Sequence, residues 1–299
     1  MLTGVHVLLL GGDARQLEVI KKLSELDAAI TVCGFDGLHS PPQGAVQATF
    51  DESLFEGVDA LLLPAVGTDD NGLIHTVFSD GELKLTEKHF THLPEHCVVY
   101  TGMAKPYLKH LCQQRNLKLV ELFERDDVAI YNSIPTAEGA LMMAIQNTDI
   151  TIHGSACVVL GFGRTGFTMA RTLQGIGAKV KVGVRRSEHY ARAAEMGYEP
   201  FYTGVLLQNA SNIDLLFNTI PTMIITAQII ANLPSRAVII DLASKPGGTD
   251  FRFAEKRGIK AMLAPGLPGI VAPKTAGRII AECLGQLIMD ETIKRGNGI

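Results

Sequence analysis

The sequence predicts an α/β protein built from two doubly wound parallel-sheet domains, one in each half of the chain. Short, continuous apolar runs alternate with polar or amphipathic segments along all 299 residues. Buried parallel strands have this continuous apolar character, and their alternation with helices is typical of a doubly wound sheet. The order of apolar run, glycines and helix also begins twice, near residue 7 and near residue 156. This duplication predicts two domains of similar design.

The composition supports a compact protein with ordinary cores. Hydrophobic residues make up 46% of the chain and charged residues 19%, and its length is sufficient for two domains. The net charge of −4 gives no reason to expect nucleic acid as a partner. Five scattered cysteines without a CxxC pair predict reduced thiols in a cytosolic protein and no metal site. The first apolar run is too short for a membrane span and has no signal-peptide features, so we interpret it as a strand.

The first half contains five predicted strands. The first of them, HVLLLGG, ends in glycines and precedes an amphipathic helix, ARQLEVIKKLSEL. The other predicted strands of this half are AITVCGF, VDALLLPAV, HCVVYTGM and LKLVELF. We therefore expect residues 1–132 to form a flavodoxin-like or Rossmann-like domain on the substrate side.

The segment between the halves predicts a helix that links the two domains. Ser133 or Thr136 is suited to cap a helix that starts near Pro135, with Glu138 in its first turn. The second domain, residues 133–299, would then consist of this linker helix and a nucleotide-binding domain. A last apolar helix, about 275–299, can pack back on either domain.

The second half begins with a dinucleotide-binding fingerprint. Its predicted strands are ACVVLGFG, KVKVGVRR, IDLLFNTIP, AVIIDLAS and IKAMLAPGLPG. Gly161, Gly163 and Gly166 form GxGxxG between the first strand and a helix, with Phe162 inside the motif. The glycines allow a tight turn, close approach of pyrophosphate and close packing of helix on strand, and the helix N-terminus offers free N–H groups. The pattern predicts a Rossmann domain, and the alternative is a glycine-rich turn that binds nothing.

Two arginines stand where such a fold usually has a carboxylate. The residue that ends the second strand meets the adenosine ribose and lies about 20 residues past the glycines. Arg185 and Arg186 occupy this place, and Ser187 follows them with a hydroxyl group. A carboxylate there would repel a 2′-phosphate, whereas a guanidinium pairs with it. The pair predicts NADP(H) in preference to NAD(H), although one of the two arginines can equally be solvated surface.

Two further strand ends are expected to face the same crevice, because ligands bind at the carboxyl ends of parallel strands. Their small side chains would leave room for ribose and nicotinamide. The candidate residues at these ends are Thr219, Ile220, Pro221, Ala243 and Ser244. Asp241, which precedes the second pair, fits a structural cap as well as it fits a cofactor role.

The histidine inventory excludes one class of dehydrogenase. A D-2-hydroxyacid dehydrogenase has the same two-domain plan, but it uses a histidine after the last Rossmann strands as its acid and base. The last histidine of this chain is His189, before those strands, so that assignment fails.

The groups that remain near the expected cleft are cationic and hydroxylic. We consider five low-ranking substrate-cleft candidates: Arg15, Asp127, Ser133, Thr136 and Lys274. Arg15 and the adjacent helix start can hold a substrate carboxylate, or Arg15 can belong to an ordinary surface turn. Asp127 can act as a base, although charged groups beside hinges are more often structural. The sequence does not identify the general base.

Five motifs together resemble the family of the dipicolinate synthase A subunit of spore-forming bacilli. They are LLGGDARQ, FERDDVAIYNSIPTAEG, GSACVVLGFGRTG, DLASKPGGTDF and APGLPGIVAPKTAG, and they extend over nearly the whole chain. The resemblance implies a cytoplasmic sporulation protein of the mother cell. Together with the flavoprotein-like B subunit of dipicolinate synthase, such a protein would convert a dihydrodipicolinate-type product of the lysine pathway to dipicolinate.

The resemblance also implies site residues. Pyrophosphate would be held by Gly161, Gly163, Arg164, Thr165 and Gly166, and the 2′-phosphate by Arg185 and Arg186. The cofactor would be NADP and the substrate a small dicarboxylate, with neither a membrane nor nucleic acid as a partner and a homo-oligomer possible. Two other functions stay open. One is a nucleotide-binding regulatory or scaffold protein whose partner does the chemistry, and the other is a two-domain dehydrogenase of the alanine-dehydrogenase type.

Overall fold

The structure is a computed structural model that describes residues 1–296, and it divides into two compact units. The first unit comprises Met1–Val128 together with the chain from Ala272 onward, and the second comprises Ala129–Val271. The division between Val128 and Ala129 falls inside the helix expected to link the two domains. No helix within residues 1–296 is long and apolar enough to cross a membrane.

The first unit contains a parallel sheet of six strands in the order β3-β2-β1-β4-β7-β8. A second, two-stranded antiparallel sheet consists of β5 and β6. The elements are β1 (His6–Leu10), α1 (Ala14–Glu25), β2 (Ala29–Cys33), β3 (Ala45–Gln47), β4 (Ala60–Leu62), β5 (Leu73–Ile74), β6 (Leu83–Lys84), α2 (Glu87–Thr91), β7 (Val98–Thr101), α3 (Pro106–Gln114) and β8 (Lys118–Glu121). All five strands predicted for this half are present. The prediction omitted β3, a three-residue edge strand without a fully buried side chain.

Helix α4 (Asp126–Asn147) corrects the predicted linker helix. It begins nine residues before Pro135, which lies inside it, and neither predicted cap is a cap. The Ser133 hydroxyl donates back to the carbonyl of Ile130 at 2.6 Å, and the Thr136 hydroxyl donates to the carbonyl of Asn132 at 2.8 Å. Hydroxyl groups in a helix interior often make such back-bonds, and from sequence alone they cannot be told from caps.

The second unit repeats the plan with a parallel sheet in the order β11-β10-β9-β12-β13-β14. Its elements are β9 (Ala156–Leu160), α5 (Arg164–Gly175), β10 (Lys179–Val184), α6 (Ser187–Glu195), β11 (Glu199–Tyr202), α7 (Leu206–Asn209), β12 (Leu215–Asn218), α8 (Ala227–Ala231), β13 (Val238–Asp241), α9 (Phe251–Arg257), β14 (Lys260–Leu263) and α10 (Leu267–Val271). The five predicted strands are present, and the one that the prediction omitted is again an edge strand. Pro200 interrupts the apolar run of β11, as is typical of edge strands.

Both sheets are buried on both faces, as the continuous apolar runs predict. One core cluster lies on each side of each sheet, so that alternate residues of β1, and likewise of β9, face opposite clusters. The fold is therefore two doubly wound α/β domains with the Rossmann strand order, and the carboxyl ends of the strands of each sheet lie along one edge.

Helix α11 (Pro273–Gly296) packs on the first unit, one of the two arrangements that the sequence left open. Its Ile280, Leu284 and Ile288 are buried in the same cluster as residues of α1 and β1. Gly277 brings the two helices close together, because a Cβ there would lie 2.6 Å from the carbonyl oxygen of Arg15. Small residues on α11 thus allow α1 to be covered by a helix that is distant in sequence.

Each sheet carries one aspartate that ties its central strands together at their amino ends. Asp59 accepts a hydrogen bond from the His6 N–H at 2.7 Å, and Asp214 accepts one from the Ala156 N–H at 2.8 Å. Asp59 also pairs with Arg295 of α11 at 2.5 Å and with His96 at 3.0 Å. Burial raises the pKa of Asp59, but these three donors outweigh it, so the pKa lies below its ordinary value.

We predict that Asp59→Asn lowers the free energy of unfolding by about 2 kcal/mol at neutral pH, because several donors lose their carboxylate partner. The folded-state pKa is depressed, so this contribution is present above the ordinary carboxyl pKa and is lost as the pH falls through the folded-state value. Urea denaturation at neutral and acidic pH measures the difference, which should shrink below about pH 4. The exposed Asp51→Asn is the control, and an equal loss in that variant would contradict the assignment.

Candidate functional site

The turn between β9 and α5 has the geometry that its three glycines predict. Gly161 has a φ of +93°, a left-handed conformation that favours glycine. A Cβ on Gly161 would collide with the Thr219 hydroxyl, and a Cβ on Gly166 would collide with the carbonyl of Gly161. The third glycine therefore lets α5 pack directly against the turn, as the fingerprint requires. Phe162 is buried and anchors the turn, with its ring centroid 5.3 Å from that of Phe167 and 5.9 Å from that of Tyr198.

Gly163 leaves the amino end of α5 bare. It is the N-cap residue of the twelve-residue helix, and no side chain of the described residues accepts a hydrogen bond as its cap. A Cβ added at Gly163 would meet nothing within 4 Å, so the space in front of the helix is open. The N–H groups of the first turn and the positive end of the helix dipole thus face that space, which suits a phosphate group.

The tip of β10 presents the two predicted arginines. Arg185 and Arg186 are both exposed, and Arg185 makes no ion pair with any residue in the described part of the chain. The Arg186 Nε lies 3.0 Å from Glu188 Oε1, and its Nη2 lies 2.7 Å from His189 Nε2. Helix α6 starts immediately afterwards at Ser187, so both guanidinium groups stand beside a second helix N-terminus.

These features line one open cleft of about 690 Å³ within the second unit. Its charged lining groups are three arginines, and no described carboxylate lines it. The lining residues are Gly161, Phe162, Gly163, Arg164, Thr165, Val184, Arg185, Arg186, His189, Thr203, Thr219, Ile220, Pro221, Thr222, Met223 and Ile224. A cationic cleft with a bare helix N-terminus is suited to an elongated ligand that carries several phosphate groups.

The structure brings ten of the fourteen predicted cofactor residues to this lining. Gly166, Ser187, Ala243 and Ser244 are not in it: Gly166 and Ala243 are buried, whereas Ser187 and Ser244 are exposed outside the cleft. The prediction omitted Val184, His189, Thr203, Thr222, Met223 and Ile224. Most of these residues follow the carboxyl end of a strand, and extending each predicted strand end by a few residues would have found the group from Thr222 to Ile224.

Asp241 shapes two of the strand-end loops and is not itself part of the lining. It is fully buried and accepts hydrogen bonds from Asn218 at 2.9 Å, from the Gly248 N–H at 2.8 Å and from the Thr249 hydroxyl at 2.6 Å. Asn218 in turn donates to the carbonyl of Ile220 and accepts from the N–H of the same residue, both at 3.0 Å. This network holds the loop after β12, whose residues 219–224 line the cleft. Asp241 therefore has the structural role that the sequence left open.

Two hydroxyl candidates belong to the second unit and make internal hydrogen bonds. Ser133 is 1% exposed, and its Oγ lies 2.6 Å from the Thr168 hydroxyl of α5 as well as from the Ile130 carbonyl. Thr136 back-bonds to its own helix. Ser133 therefore links α4 to α5, and Thr136 links two turns of α4. Neither residue lines the cleft.

The remaining candidates belong to the first unit. Asp127 pairs with Arg125 at 2.8 Å, and this guanidinium, which outweighs the effect of burial, holds the pKa of Asp127 below its ordinary value. An exposed carboxylate held in this state is a poor general base at neutral pH. Lys274 is exposed in the first turn of α11 and makes no ion pair with any residue between Met1 and Gly296.

The corresponding turn of the first unit is closed by its own side chains. Asp13 caps α1 and accepts from the Arg15 N–H at 3.0 Å and from the Arg15 guanidinium at 2.6 Å. The space beside Gly12 is filled by Gln16, and the Gly12 N–H donates to the carbonyl of His75. Burial raises the pKa of Asp13, but the hydrogen bonds and the charge of Arg15 outweigh burial, so the pKa lies below its ordinary value. An ionised carboxylate therefore stands at the helix start where a phosphate would bind. At the start of α1 a side chain thus occupies the place that is open in front of α5.

Two family models match the chain. Residues 6–123 match the N-terminal domain of the dipicolinate synthase A subunit, and residues 151–285 match the acetohydroxy acid isomeroreductase NADPH-binding domain. The chain is also 52% identical to the dipicolinate synthase A subunit of Bacillus subtilis (strain 168), over 99% of this chain and 100% of that protein.

Solved structures agree with these matches. The crystal structure of the dipicolinate synthase A subunit from Bacillus halodurans superimposes with a TM-score of 0.94 at 55% identity, over 96% of this chain and 99% of that one. The corresponding dipicolinate synthase structure from Bacillus subtilis gives 0.94 at 52% identity, with 98% and 99% covered. A transhydrogenase from Sinorhizobium meliloti gives 0.69 at 17% identity, covering 96% and 94%, a likeness of fold alone.

We predict that Gly163→Ala leaves the fold intact and weakens binding of NADPH by about tenfold or more. The φ of Gly163 is −89° and the space around it is open, so alanine fits, but its methyl group occupies the place where a phosphate approaches the backbone. Calorimetric titration measures binding, and the melting temperature should change by less than about 4 °C.

Gly175→Ala is the matched control, because Gly175 ends the same helix and a Cβ there also meets nothing within 4 Å. Equal NADPH affinity in the two variants would show that the turn does not hold the phosphates.

Proposed function

The chain belongs to the family of the dipicolinate synthase A subunit, and on that premise we propose that it is the NADP-dependent oxidoreductase component that forms dipicolinate. The substrate would be a dihydrodipicolinate-type product of the lysine pathway. The observation that carries the proposal is the cationic cleft of the second unit, which combines the bare amino end of α5 with the arginine pair at the tip of β10. The match of residues 151–285 to an NADPH-binding domain supports the same assignment.

The residues of the cleft fit the parts of NADP. The N–H groups that follow Gly163 would hold the pyrophosphate, and Arg185 and Arg186 would hold the 2′-phosphate. Thr219 and Ile220 lie on the wall that follows β12, where small or apolar groups leave room for a ribose and a nicotinamide ring. NADP bound there would accept a hydride.

The proposed reaction balances without a strong base. A dihydropyridine dicarboxylate would give up a hydride, which bound NADP would accept, and a proton to water, and its ring would become an aromatic pyridine. Aromatisation supplies driving force, which accords with the absence of a histidine after His189 in the sequence. The substrate carboxylates would need cationic or N–H donors. Lys274, exposed in the first turn of α11, is the candidate for this role, whereas Arg15 is already paired with Asp13.

The biological setting follows from the family. We propose that the protein acts in the cytoplasm of the mother cell of a sporulating bacterium, together with the B subunit of dipicolinate synthase. The naming of the family supports a partner protein, since its relatives are named as one of the subunits of the synthase.

One observation favours a second candidate function. The described lining of the cleft contains no carboxylate, and the Nε2 of its single imidazole, His189, lies 2.7 Å from the Arg186 guanidinium. A nucleotide-binding regulatory protein whose partner performs the oxidation would have such a site.

An assay of the purified chain separates these two functions. With NADP and freshly generated dihydrodipicolinate, we expect NADPH absorbance at 340 nm and pyridine absorbance to rise together, with no increase in tubes that lack NADP. Turnover by this chain alone supports the oxidoreductase and contradicts the regulatory role. Dipicolinate formation by the B subunit on its own, without NADPH production, would leave the regulatory role to this chain.

The arginine pair has its own test. We predict that changing Arg185 and Arg186 together to alanine weakens NADP(H) binding by about a hundredfold and NAD(H) binding only slightly, since charge-assisted bonds to phosphate are each worth about 1.5–3 kcal/mol. Titration calorimetry with the two dinucleotides measures the ratio. Arg192→Ala, on the helix α6 that follows the pair but outside the cleft lining, is the control. Equal losses of affinity for the two dinucleotides would show that the arginine pair does not recognise the 2′-phosphate.

A further inference from the structure

His189 is a cleft residue to which the proposed function gives no role. It lies in the first turn of α6, half-buried, and its ring faces Phe162 edge-on with 6.4 Å between the centroids. Its Nε2 is 2.7 Å from Arg186 Nη2. The imidazole therefore stands beside the guanidinium that is proposed to bind the 2′-phosphate.

The contact with Arg186 defines the state of the imidazole. A guanidinium can only donate hydrogen bonds, so Nε2 must accept and must carry its lone pair. Glu188 occupies the Nε edge of the same guanidinium at 3.0 Å, so Arg186 is held from two sides by residues of its own helix turn.

The charges around His189 are predominantly positive. On its own helix lie Arg186, Glu188 and Arg192, of which Arg192 pairs with Glu195 at 3.0 Å. The tip of β10 contributes Arg185, and the first turn of α5 contributes Arg164 to the same cleft. Thr203, which follows β11, lines the same cleft, and Tyr202 at the end of β11 stacks on Tyr190. A phosphate that enters the cleft beside His189 therefore meets mostly cationic groups.

Resting on the proposed function, we propose that His189 is a third reader of the 2′-phosphate and that it takes up a proton when NADP(H) binds. The phosphate draws the Arg186 Nη2–H away from Nε2, a proton from solvent binds to Nε2, and the new N–H donates to a phosphate oxygen. Two cations and an imidazolium then face the phosphate. Affinity for NADP(H) falls with rising pH, whereas affinity for NAD(H), which has no phosphate there, stays nearly constant.

The experiment uses the full chain and two small probes, 2′,5′-ADP and 5′-AMP, which differ only in the 2′-phosphate. Titration calorimetry in two buffers of different ionisation enthalpy measures the protons taken up on binding. We expect proton uptake with 2′,5′-ADP and almost none with 5′-AMP, and a pH-dependent ratio of the two affinities between about pH 6 and pH 8.

Two variants distinguish protons bound by the His189 imidazole from protons bound or released by the 2′-phosphate itself. His189→Gln keeps a polar side chain but cannot take a charge, so we expect about tenfold weaker 2′,5′-ADP binding with less proton uptake, and a change of less than about twofold for 5′-AMP. His189→Lys supplies a permanent charge and should bind 2′,5′-ADP with less pH dependence than the parent. His153→Gln is the control, since His153 is exposed at the opposite end of the second sheet.

Proton uptake that is equal in the parent and in His189→Gln would overturn the proposal, as would equal losses of affinity for the two probes. These results differ from failure of the proposed function itself. If the parent protein bound neither NADPH nor 2′,5′-ADP, the nucleotide assignment would fall. If it bound both and the His189 variants behaved like the parent, only the role of His189 would fall.

Discussion

Free N–H groups at the start of one helix are the constraint on which the candidate site depends. The amino end of α5 has glycine as its cap, so no described side chain of the second unit caps the helix in place of an incoming phosphate. The first unit has the same strand order, but Asp13 caps the equivalent helix, and Arg15 neutralises that carboxylate. The N-cap residue, glycine in one unit and aspartate in the other, thus decides whether the amino end of the helix is open to an anion. The anion-binding property lies in the cap, not in the sheet.

The walls of the cleft depend on buried polar groups behind them. Asp241 and Asn218 are fully buried, and their hydrogen bonds position the loops that follow β12 and β13. Buried polar groups that are fully satisfied fix one conformation, because any other conformation leaves a donor or an acceptor without a partner in a medium of low polarity. The glycine turn is held in a comparable way, with the Thr219 hydroxyl on the Leu160 carbonyl at 2.8 Å. Hydrogen bonds therefore fix the loops around the glycine turn, while the two arginines at the tip of β10 are exposed.

The sequence predicted much of this site, and its errors have physical causes. The glycines and both arginines could be placed at the cleft because a glycine turn and a charged strand tip are local features of the sequence, and the family resemblance is confirmed by 52% identity over nearly the whole chain. Ser133 and Thr136 were misread as caps because their hydroxyls bond to carbonyls in the preceding turn. His189 was passed over because an imidazole in a helix turn acquires a role only when its neighbour Arg186 and the cleft are both visible.

The sequence by itself determined the fold class, the glycine turn and the cationic strand tip, because each depends only on residues that are adjacent or regularly spaced in the chain. Tertiary structure alone decided which unit α11 covers, that α4 runs past Pro135, that edge strands complete each sheet, and that Arg15 is already bound by Asp13. Those outcomes depend on contacts between distant segments, where packing and hydrogen-bond satisfaction outweigh local preference. For the same reason the lining of the cleft, gathered from the ends of four strands, could be described only once those ends were placed side by side.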